Sequence, residues 1–273
     1  MQEVEFKGRR WLELCMLFFA AALILGFVMN VFSSPIGDLL PSLSQILLAI
    51  GFYLFTAANN EHLKKYPKSL SLARVIVGIL LGVGLLNFGI VWFQSFVLPP
   101  LPPISRYYEL ALEFANFEQF KEAVREILNT SNSLLISNCA LLIPSCLFLV
   151  ASKLFDRWIR QVILGEEIDA EPSDELSPAM FWIALIEFIS VVITIITLFA
   201  ITQIFSAILT IEDITVIPLS VVNSIKTHLG FLELLNIIYI GLLLFNIGLR
   251  IAFFITTIMI FRELSFQTSW KLS

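Results

Sequence analysis

Six stretches of this chain are apolar over a length that a bilayer would accept. They cover about residues 11–32, 42–58, 72–97, 134–152, 179–206 and 229–261. A helix needs about 20 apolar residues to cross roughly 30 Å of hydrocarbon. Lipid offers no hydrogen-bond partners, so each backbone group must pair within a helix or a closed barrel. Barrel strands would read as short alternating segments, whereas these runs are continuous. The expected fold is therefore all-α: a polytopic transmembrane bundle of about six spans, with residues 1–273 forming a single transmembrane domain.

Composition agrees with that reading. The chain is 58% hydrophobic and 14% charged, against about 25% charge in a soluble domain. Its mean hydropathy is +0.89, which excludes a disordered chain. The first apolar segment is longer than the apolar core of a cleaved signal, about 7–15 residues, and is read as a retained span. A net charge of −5 argues against a nucleic-acid partner, which would call for a concentrated basic patch. The lipid bilayer is the expected environment, in a plasma, inner or organellar membrane.

Orientation follows from the basic residues at the segment ends. Lys7, Arg9, Arg10, Lys64, Lys65, Lys68, Arg74, Lys153, Arg157, Arg160, Arg262 and Lys271 fall on one side. Arg106, Lys121, Arg125 and Lys226 fall on the other, and Arg250 lies within a span. The bias places both termini in the cytoplasm.

Two connections have character of their own. After the proline-rich Leu98–Pro103, a helical pattern runs over about 105–128. Tyr107, Leu110, Ala111, Phe114, Phe117, Val124 and Leu128 form its apolar face, and Glu109, Glu113, Glu118, Glu122 and Glu126 fall mainly elsewhere. An amphipathic helix lying on the outer face is expected, capping the bundle or docking a protein partner. Residues 165–178 are acidic and turn-rich, and read as a cytoplasmic linker. Asn129-Thr130-Ser131 matches a glycosylation sequon. Spans one and five, and two and six, share faint similarities that would suit an internal duplication.

The polar residues inside the spans carry the functional question. In span six, Glu233, Asn236, Tyr239, Asn246, Arg250 and Thr257 fall within an arc of about 140° at 100° per residue. Span five presents Glu187, Ser190, Thr194 and Thr197 on one face. An intramembrane arginine is costly unless hydrated or paired, so the two stripes are expected to pack together, with Glu187 the first choice of partner for Arg250. Side chains lean toward their helix N-terminus, and the two helices run oppositely. Thr194, Thr197 and a hydrated cavity are therefore the alternative surroundings for Arg250. From the apolar run Ile251–Phe261, Arg250 is expected about 18 Å from the cytoplasmic end. In span three, Gly78, Gly82 and Gly84 form a small-residue pattern that permits close helix approach, and Asn87 and Gln94 share a face beyond it.

Cys15, Cys139 and Cys146 sit in apolar runs, where thiols pack as small apolar groups. No HExxH, phosphate-binding loop or nucleotide fingerprint occurs. His62 and His228 are expected on opposite faces, and no lysine lies within a span. No metal, cofactor or catalytic residue is expected, and the chain is not read as an enzyme. Two functional readings remain. One is a structural, accessory or assembly subunit, or a homo-oligomer, contacting partners through the outer helix or the cytoplasmic linker. The other is a small transporter or channel for an ion or small polar solute, using the seam between spans five and six. Intramembrane charges are few for coupled transport, which favours the first.

Overall fold

The structure is a computed structural model, and it describes residues 9–31, 35–60, 67–98, 117–159, 177–212 and 219–269. It is a polytopic helical bundle with no strand among the described residues. The helices are α1 (Arg9–Val31), α2 (Pro35–Ala58), α3 (Pro67–Phe96), α4 (Phe117–Ile159), α5 (Ser177–Leu209) and α6 (Leu219–Ser269). Among the described residues, α2 to α6 each contain a segment long and apolar enough to cross a membrane. In α1, 23 residues long, the apolar run among described residues is Leu17–Gly26. The acidic linker expected at 165–178 lies outside the described residues, apart from its last two positions at the start of α5.

Several helices outrun their expected spans. The second starts at Pro35, so Pro35 takes the first helical position, where a missing N–H costs nothing; Pro41, just before the apolar run 42–58, stands inside the helix. Beyond it, the Ser44 hydroxyl donates to the Pro41 carbonyl at 2.7 Å. The amphipathic segment shows a larger difference. Its first half lies outside the described residues, but from Phe117 onward it continues into the fourth span as one helix of 43 residues. The polar run Asn129–Ser133, which separates the two on paper, does not break it. Within it, Ser133 Oγ donates to the Asn129 carbonyl of the same helix at 3.0 Å, and just beyond it Asn138 Nδ2 donates to the Leu134 carbonyl at 2.8 Å. Without a Gly or Pro, nothing in that run forces a turn. The sequon therefore sits in mid-helix, with Ser131 fully buried.

The chain divides into two compact units. One contains residues 1–91, 143–188 and 244–273. Its core is built from Phe19, Ala20 and Leu23 of α1, Leu48, Phe52 and Phe55 of α2, and Ile76, Leu80 and Val83 of α3. The C-terminal part of α4 and the N-terminal part of α5 add Phe148, Phe155, Trp158, Ile183 and Ala184. Aromatic edges meet faces within it: Phe52 lies 4.6 Å from Trp158 at 89° and 5.2 Å from Phe155 at 78°, the geometry that ring quadrupoles favour. At the close approach of α2 to α3, a Cβ on Gly84 would stand 2.7 Å from Ile46 Cγ1 and 3.0 Å from its backbone nitrogen. Gly78 and Gly82, the other half of the expected small-residue pattern, have open space beside them. Asn87 Nδ2 donates to Gln45 Oε1 at 3.1 Å one turn beyond Gly84.

The second unit contains residues 92–142 and 189–243. Val124 and Ile127 of α4 and Phe205 of α5 are its buried centre, with Phe120, Leu128, Ile201, Ile208 and Leu209 packed around them. Gln94 Nε2 donates to Ser137 Oγ at 2.8 Å, tying α3 to α4.

Candidate functional site

Arg250 is the centre of a hydrogen-bonded network within the first unit. Its Nη2–H donates to Glu187 Oε1 at 3.2 Å, and its Nε–H to Asn246 Oδ1 at 2.9 Å. Its Nη1–H donates to the main-chain carbonyl of Leu23. The guanidinium therefore joins α6 to α5 through a carboxylate and to α1 through a backbone oxygen. Its planar fork of donors allows these directions to be served at once, which a lysine could not do. Asn246 stands one turn before Arg250, so an i, i+4 bond within α6 sets the side chain's path. The Arg250 side chain is 11% exposed and that of Glu187 25%; Asn246 is buried.

The contact brings Arg250 and Glu187 to one level along their helices. Glu187 stands five residues past Trp182, whose exposed indole suits a membrane interface. Five residues are about 7.5 Å of helix. Arg250, bonded to Glu187, lies at the same level. With both groups at one level, their opposite lean no longer separates them.

The other residues of the two stripes belong to the second unit and are placed differently. Thr194 Oγ1 donates to the Ser190 carbonyl at 2.9 Å, a bond within α5 that satisfies the hydroxyl proton locally. Ser190 and Thr197 are half-buried. Glu233, Asn236 and Tyr239 of α6 are exposed. The angular count put them on one face with Asn246 and Arg250, but unlike Asn246 they are exposed. Over 219–245, Leu235 is the buried position of α6. The Leu23 carbonyl was not foreseen, because a backbone acceptor leaves no mark in residue identity.

Among the described residues, no three His, Cys, Asp or Glu side chains converge as they would around a metal ion. Cys15 is half-buried, and Cys139 and Cys146 are exposed on α4. No protein-family model matches the chain, and comparisons with curated proteins and with solved structures likewise give no match.

Proposed function

We propose that this integral membrane protein is a structural or accessory subunit of a membrane assembly, its Arg250–Glu187 pair serving to lock helices rather than to handle a solute. The observation that carries the reading is the number of protein acceptors Arg250 meets: a carboxylate on α5, a carbonyl on α1 and an amide on its own helix. An arginine so engaged resembles a register-fixing contact more than an open binding group. Both termini are assigned to the side of the basic flanks, following the distribution of Lys and Arg. No reaction is assigned to the chain.

The transporter reading keeps one supporting observation, the quarter of the Glu187 side chain left exposed. A solute approaching that carboxylate would meet the only ion pair recorded for α5 and α6 among the described residues.

Purification in a gentle detergent followed by mass spectrometry tests the proposal. A stoichiometric partner that stays bound supports it. A lone chain that, in proteoliposomes, moves ions or small polar solutes and loses that flux on Arg250→Leu with its fold intact overturns it.

A further inference from the structure

We propose that α4 and α5 continue past the hydrocarbon as paired helices, giving the protein a membrane-proximal headpiece with its own small core on the face opposite the basic flanks. This goes beyond the accessory reading and does not rest on it. The argument begins with α4. Its 43 residues are about 64 Å of helix, twice the hydrocarbon thickness. Between Glu126 and Lys153 it carries no charge, and residues 134–152 alone supply about 28 Å of apolar length. Glu118, Lys121, Glu122, Arg125 and Glu126 all fall within the preceding segment. Ionisable side chains in such density belong in water, so about 25 Å of α4 stands outside the lipid tails.

That segment could still bend over and lie on the membrane, as its amphipathic pattern suggests. Two observations oppose this. The helix is unbroken through Asn129–Ser133, and the Ser133 hydroxyl is bonded to the Asn129 carbonyl across the junction. The apolar face is also already covered: Val124 is 3% and Ile127 9% exposed, under Phe205 of α5 at 7%. A helix floating in the headgroups would turn those side chains toward acyl chains; here they face Phe205, Ile208 and Leu209. On α5 these residues lie at the far end of an apolar segment, Phe181–Leu209, whose 29 residues exceed the hydrocarbon thickness. Counting about 30 Å from Trp182 along α5 ends near Thr202, so Phe205, Ile208 and Leu209 fall beyond the edge. Their burial there is ordinary hydrophobic packing against water, which lipid would not drive.

A distance measurement decides between a standing and a lying segment. In the full chain in lipid nanodiscs, with Cys15 and Cys146 changed to Ser, spin labels are placed on Glu118→Cys and on the native Cys139. Both positions are exposed, so neither label enters a core. A continuous helix separates them by about 32 Å along its axis, whereas a right-angled bend near Ser131 brings them to about 23 Å. The longer distance is expected. In the same nanodiscs, a charged maleimide should label Glu122→Cys and spare Ile136→Cys, which is exposed at the level assigned to lipid. A distance near the shorter value, or protection of position 122, overturns the headpiece.

Discussion

The two halves of the polar stripe on α6 make an instructive pair. Asn246 and Arg250 meet protein: one is buried, and the other is bonded to α5 and α1. Glu233, Asn236 and Tyr239 share the same angular sector and are exposed. Helical periodicity assigns residues to a face, but it does not say how far along the helix that face stays covered. For a 51-residue helix, about 76 Å long, the two questions separate. A charge among lipid tails needs a partner in the same chain or beside it; a charge near the end of such a helix can find water instead.

The comparison can be broken by substitution, and the largest effect belongs to the inner half. Glu187→Leu leaves Arg250 without its counter-charge in a mostly enclosed site, and should cost about 3 kcal/mol in detergent unfolding. Adding Arg250→Leu should recover most of that loss, because an apolar pair of similar volume suits the surroundings. A double variant no better than the single one would show that the network cannot be replaced by packing.

Next in size is a control on helix approach that involves no charge. Gly84→Ala places a methyl against Ile46, including its main chain, and should destabilise by about 2 kcal/mol. Gly82→Ala, with open space beside it, should be neutral or gain up to about 1 kcal/mol from helix propensity. Equal losses at both positions would mean that a second surface covers Gly82. The smallest effect is expected at the outer half of the stripe. Glu233→Gln and Asn236→Leu should each shift monomer stability by less than about 0.5 kcal/mol. A loss as large as that of Glu187→Leu would erase the distinction between the two halves.

The helical character of this chain was legible because lipid permits so few alternatives: a continuous apolar run must satisfy its own backbone. Glu187 and Arg250 could be matched for a related reason, being the deep charges on adjacent spans, and a charge in that setting requires its opposite. What stayed hidden depends on neighbours. Gly78, Gly82 and Gly84 look alike as letters, and proximity to Ile46 alone distinguishes the last. Asn129–Ser133 lies between the expected outer helix and the fourth span, yet the helix passes through it, with Ser133 bonded to the Asn129 carbonyl.

The hydrogen bond from Arg250 to the Leu23 carbonyl spans 227 positions and so joins α1 to α6. During synthesis, the Glu187 carboxylate on α5 has no guanidinium to meet until α6 emerges. A chain truncated before residue 250 would therefore lack the group that fastens α1 and α5 to α6.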